Sequence, residues 1–159
     1  MVGKRGIPLI EIKENPDNVP LFADNLVDFL DNALGGDNMK NGGWCICTAP
    51  RRRHKDGFHF ATAICKAVAK SLHIPFYEDA FSAKNRSRID PEFYMLKNPV
   101  EPNVILYDDI ITTGETMRAM RKLLADAGHV TFLIVAIKNV TMKSEGGDDN
   151  GSRTPAEGN

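Results

Sequence analysis

No stretch of this chain is apolar for long enough to cross a bilayer, and the opening MVGKRGIPLIEIKENP holds too short an apolar run for a secretory signal. A cytoplasmic location with no membrane partner is the expectation. Cysteine is scarce. Cys45, Cys47 and Cys65 are odd in number, and the one-residue spacing of the first two, without a second Cys/His pair, fits no common zinc pattern. They read as reduced structural thiols. Excess charge of either sign is also missing: a formal net charge of -1 and a pI near 6.4 give no global footprint of a nucleic-acid binder, so any basic site must be local. No internal repeat is visible, and the absence of GxxxxGK followed by Ser or Thr excludes a Walker P-loop.

What is present suffices for one globular domain: 159 residues, 42% of them hydrophobic and 26% charged. Apolar runs at 7–12, 44–48, 104–107 and 130–138 are short and rich in Val and Ile, as buried strands are. Between them, Phe58, Ala61, Cys65, Val68 and Leu72 recur at helical spacing, as do Met117, Met120, Leu124 and Ala127, with Gly128 as a stop. A third helix is expected over 21–34, with Phe22, Leu26, Phe29, Leu30 and Ala33 on one side and Gly35 and Gly36 at its end. Strands alternating with helices of this length predict an α/β fold, a mainly parallel sheet flanked by helices. The chain divides into an N-terminal segment 1–40, a core 41–140 and a tail 141–159 whose polar composition predicts disorder.

Residues 104–116 read VILYDDIITTGET, a buried strand that ends in two adjacent acids and passes through a Thr/Gly turn into a helix. Ligands of open α/β sheets sit beyond the carboxyl ends of strands, where a helix N-terminus offers N–H groups and the positive end of its dipole to a phosphate. Thr112, Thr113, Gly114, Glu115 and Thr116 would form that cradle, and Asp108 and Asp109 would lie within reach of hydroxyls on an attached sugar. The bland alternative is a strand followed by a helix capped by Thr113, with both acids merely exposed.

The thirteen-residue pattern resembles the phosphoribosyl pyrophosphate signature of type I phosphoribosyltransferases. The resemblance implies a Rossmann-like core in which Asp108 and Asp109 hold the ribose hydroxyls as the catalytic acids and residues 112–116 hold the 5'-phosphate. Tyr107 stands where an aliphatic residue is usual, a packing matter. Glu115 places a negative charge on the phosphate turn, where it would repel the ligand unless it points to solvent. Upstream, WCICTAPRRRHKDGFHFATAICKAVAKSL is similar to the ComF branch, with His59 in place of the usual Asn and no zinc-binding module ahead of Trp44.

That comparison implies a pyrophosphate loop carrying Arg51, Arg52 and Arg53, with His54 and Lys55 beside them; without it, a basic run is ordinarily a solvated loop. The stretch 81–102 carries Lys84, Arg86, Arg88 and Lys97 with Tyr94, and the family places a mobile covering loop there; an ordinary basic hairpin is the alternative. Magnesium would be held through the substrate and not by protein ligands. The implied function is transfer of ribose 5-phosphate from phosphoribosyl pyrophosphate to an unidentified, nucleobase-like acceptor, with residues 1–40 as the candidate hood. A non-catalytic nucleotide-sensing regulator and a ComF-like DNA-processing accessory are the rivals. Nucleic acid is the less favoured partner, and a homodimer is a candidate assembly.

Overall fold

The computed structural model describes residues 9–51, 57–87, 89–111 and 113–138. Helix α1 (Leu9–Glu14) leads through a 3-10 turn (Pro16–Asn18) into α2 (Val19–Leu34) and α3 (Gly36–Asn41). Strand β1 (Trp44–Thr48) precedes α4 (Phe60–Leu72), β2 (Phe76–Tyr77), and a hairpin of β3 (Phe81–Ala83) and β4 (Phe93–Met95). Strand β5 (Asn103–Ile111), α5 (Glu115–Asp126) and β6 (Val130–Lys138) complete the described fold.

The main sheet is all parallel, in the order β2-β1-β5-β6, while β3 and β4 form a separate antiparallel pair. Alternation along the strands divides two core layers. On one face Trp44, Ile46, Ile105, Tyr107 and Ile134 pack with α2 and α4, through Leu26, Leu30, Ile64 and Val68. Cys45, Cys47, Val104 and Leu106 point the other way, against Met117, Met120 and Leu124 of α5 and Phe81 and Phe93 of the hairpin. Both central strands are therefore buried on both faces, which is why they read as unbroken apolar runs.

The helices end where sequence chemistry ends them. Gly35 adopts φ 80 after α2, and Gly128, at φ 90, follows α5, where the His129 amide folds back to the Leu124 carbonyl at 2.9 Å. The run expected as a strand over 7–12 is instead helical from Leu9. Leu, Glu and Lys are good helix formers, and so short an apolar run has no period that excludes a helix. Ile12 docks this helix on the α2/α4 core. Phe58 lies before α4 and is 49% exposed; on α2, Ala33 is exposed and Ala23 buried, while Phe29, half exposed, meets the Phe132 ring of β6 at 6.3 Å.

The boundary expected after residue 40 falls inside α3, and α2 and α3 contribute Leu26, Leu30 and Met39 to the same core as the sheet. The tail 141–159 lies outside the described residues. Among the described residues no helix is long and apolar enough to cross a membrane.

Ile105 is fully buried on the central strand β5. Replacing it with Ala is expected to cost about 2–5 kcal/mol, read as a lower urea midpoint with an unchanged slope.

Candidate functional site

From β1 the chain runs through α4 to β2 on one side, then returns to place β5 on the other side of β1 and continues outward through α5 to β6. The crevice at the carboxyl ends of β1 and β5 is thus the topological switch point, where open parallel sheets bind ligands. Register extends the point. Thr48 at the end of β1 pairs with Tyr107, so Asp108–Ile111 overhang β1 and continue only along β6. The acids predicted from the motif stand on that overhang.

Strand alternation turns them apart. Asp109 shares the face of Ile105 and Tyr107, toward α1 and α4, and is 5% exposed; Asp108, half-buried, shares the face of Val104 and Leu106, toward α5. Lys13 of α1 brings its Nζ within 2.8 Å of Asp109 Oδ2. The contact is a charge pair without hydrogen-bond alignment, since the buried Oδ2 accepts no aligned hydrogen bond. Sequence reading assigned Lys13 nothing. A single lysine in a charged helical turn carries no motif, and only the docking of Ile12 brings it to β5.

His59, the residue before α4, places Nδ1 2.7 Å from the Thr62 hydroxyl, a contact across the first helical turn. Burial holds its pKa below the ordinary imidazole value; the Arg51 and Lys13 charges push the same way, and Asp109 and Asp79 oppose them. Asp79 itself follows β2 with a left-handed backbone, φ 53. The charges of Lys13, Arg51, Asp79 and Asp109 therefore all act on His59. Tyr107 is a packing residue, as its sequence position suggested: it is buried, and burial pushes its phenol pKa up so that it stays neutral.

Past the overhang, Thr113 accepts a long hydrogen bond, 3.4 Å, from the Glu115 amide, and Gly114 adopts φ 84 at the start of α5. A residue with a Cβ is strained there, so glycine is what lets the turn enter the helix. Thr116 lies half-buried in the first turn. Thr112 lies outside the described residues. Glu115 pairs with Arg118 along the surface of α5, so the charge expected to oppose a phosphate already has a partner on its own helix.

Of the basic loop, Arg51 is described: its Nη1 donates to the Gly57 carbonyl at 2.9 Å. Arg52, Arg53, His54 and Lys55 lie outside the described residues, as does Arg88. The stretch 81–102 contains the hairpin, its connection organised by Asn85, which bonds Asp90, Ser87 and Glu92. Lys84 and Arg86 are exposed on it, and Lys97 donates instead to the Glu78 carbonyl at 2.6 Å, tying the hairpin to the end of β2. The three cysteines are free and buried, which suits their structural reading; contact with Cys47 and burial raise the Cys45 pKa, and burial raises that of Cys65.

Among the described residues no group of three or more His, Cys, Asp or Glu side chains converges as a metal cage. The hard carboxylate oxygens of Asp108 and Asp109 are of the kind that magnesium takes.

No protein-family model and no curated protein matches the chain. Solved structures do. The fold is that of the type I phosphoribosyltransferases. Orotate phosphoribosyltransferase from Aeropyrum pernix superposes with a TM-score of 0.56 at 13% identity, over 84% of this chain and 66% of that one. The Saccharomyces cerevisiae adenine phosphoribosyltransferase complexed with adenine and an imino-altritol bisphosphate gives 0.54 at 18% identity, over 79% and 71%. The Helicobacter pylori xanthine-guanine-hypoxanthine phosphoribosyltransferase gives 0.56 at 11%, over 81% and 78%. The segment 104–116 falls at the switch point of this fold.

Because the folded state holds the His59 pKa below about 6.5, the unfolded chain binds more protons just beneath that pH, and stability falls as pH drops through this window. Melting temperatures compared between about pH 7.5 and 5.5 are expected to fall more for the wild type than for His59→Asn. Equal slopes would remove His59 from the account of acid sensitivity.

Proposed function

We propose that this chain is a phosphoribosyltransferase that binds phosphoribosyl pyrophosphate at the β1/β5 switch point and transfers its ribose 5-phosphate to a nucleobase-like acceptor. The observation that carries the reading is the coincidence of a Thr-Thr-Gly turn opening α5 with an acid on the overhang of β5. A phosphate at this turn would meet the amide donors of a helix start and the hydroxyls of Thr113 and Thr116. Ribose attached to that phosphate reaches back over the strand end, where Asp108 accepts from its hydroxyls.

In the reaction the bond from the anomeric carbon to pyrophosphate breaks, and the electron pair leaves with the pyrophosphate. A bond from the acceptor nitrogen forms, and the acceptor gives up a proton. Positive charge grows on the sugar beside Asp108 and Asp109, while Arg51, with Arg52 and Arg53, serves the leaving group. Magnesium, when bound through the ligand's oxygens next to these acids, adds charge stabilisation of the departing pyrophosphate. Lys84 and Arg86, on the hairpin, and Arg88 are candidates to cover the site and exclude water from the reactive sugar. The acceptor class rests on the neighbours: they act on adenine, orotate, and xanthine, guanine or hypoxanthine.

Titration of phosphoribosyl pyrophosphate with magnesium, followed by turnover with a panel of bases, tests the proposal. Asp108→Asn is expected to weaken binding by about tenfold or more with little loss of stability, since its carboxylate is half-buried. Asp109→Asn is expected to weaken binding as well, with a melting temperature close to that of the wild type, because Lys13, 32% exposed at its side chain, can turn to water once the buried charge is removed. Binding without turnover on any base would favour a nucleotide sensor. No heat of binding would sink the reading.

A further inference from the structure

The Lys13–Asp109 pair joins the N-terminal helix to the strand end that carries the motif, across 96 positions of sequence (109 minus 13). Three facts make it more than a surface ion pair. Asp109 is 5% exposed, so its charge is withdrawn from water and depends on a partner. Its Oδ2 is buried yet accepts no aligned hydrogen bond, so this oxygen meets the lysine as a charge and keeps its directional lone pairs for another donor. Lys13, in contrast, is 32% exposed at its side chain and sits on a six-residue helix, so it can leave for water at modest cost.

We propose that Lys13 is a displaceable internal counter-ion: its ammonium takes the place on Asp109 that ligand hydroxyls or a ligand-borne divalent cation take, so ligand binding expels it. This rests on reading the switch-point crevice as the phosphoribosyl pyrophosphate site. The N-terminal helix thereby sets ligand affinity. Without a ligand the pair keeps a buried carboxylate neutralised; with one, the same neutralisation comes from the ligand and its cation, and Lys13 turns outward. Its removal should tighten binding, the opposite of what an ammonium that grips the ligand's phosphates would do.

The test compares wild type, Lys13→Met and Lys13→Arg, each checked for folding by circular dichroism, with two probes: magnesium phosphoribosyl pyrophosphate by calorimetry, and manganese ion alone by electron spin resonance. Lys13→Met is expected to bind at least one probe about tenfold tighter than wild type, while Lys13→Arg, which keeps the charge, stays near the wild-type value. Should Lys13→Met not fold, Lys13→Gln, which removes the charge but keeps a donor for Asp109, takes its place. Unchanged or weaker binding of both probes by the neutral variant overturns the proposal, as does an equal gain in Lys13→Arg. If none of the proteins binds phosphoribosyl pyrophosphate but the neutral variant gains manganese, the displaceable counter-ion stands and the proposed function falls.

Discussion

The parallel pairing of β1 with β5 is the constraint on which the rest of the molecule turns, because the chain leaves β1 in one direction and comes back on its other side. Two strand ends therefore face one crevice, and β5 is long enough to carry its acids past the end of β1. Burial on both faces fixes this register. Trp44 and Ile46 lock β1 against α2 and α4, while Cys45 and Cys47 lock it against α5 and the hairpin. A slip of one residue would turn Asp109 into the apolar layer of α5 and send Leu106 toward α4.

Electrostatics at the crevice follow from that placement. A carboxylate on the inner face of a central strand loses its water and needs a compensating charge, which α1 supplies through Lys13. His59 responds in the opposite sense, since burial and the neighbouring cations disfavour a further positive charge. The crevice thus balances acids against bases within a nearly neutral chain, consistent with a site for a ligand that brings both phosphate and metal charge and with the absence of a global basic surface.

Much of this was legible in the sequence. The boundaries of Trp44–Thr48 agree with its apolar run, because a strand buried on both faces has no polar alternation to blur its ends, while Val130–Lys138, at the sheet edge with Val130 and Leu133 exposed, agrees through its content of apolar β-formers. Gly128 marks the end of α5 through its positive φ. Strand β5 runs past its apolar stretch into the acids, since β6 continues to pair there and makes polar residues extended. The 7–12 run misled because its fate depends on tertiary docking through Ile12, not on its own period. Phe58 matched the spacing of α4 yet precedes the helix, where it meets the Phe60 ring 6.5 Å away. Period alone cannot see a helix start. The sequence leaves a hairpin and a covering loop open over 81–102 because the three-residue strands are too short to alternate. Lys13 was invisible for a different reason: its role arises between distant segments, where no local pattern exists.

The acceptor is unreadable on the same physical ground. A base is recognised by a few polar groups set by loops, and the residues that would set them here, the candidate hood among them, carry no fixed spacing. The measurement that bears most directly on the central claim is a crystal structure of the chain soaked with ribose 5-phosphate. The phosphate is expected on the amides of the turn that opens α5, with the sugar hydroxyls turned toward Asp108. A phosphate bound elsewhere, with this turn left untouched at saturating ligand, would contradict it.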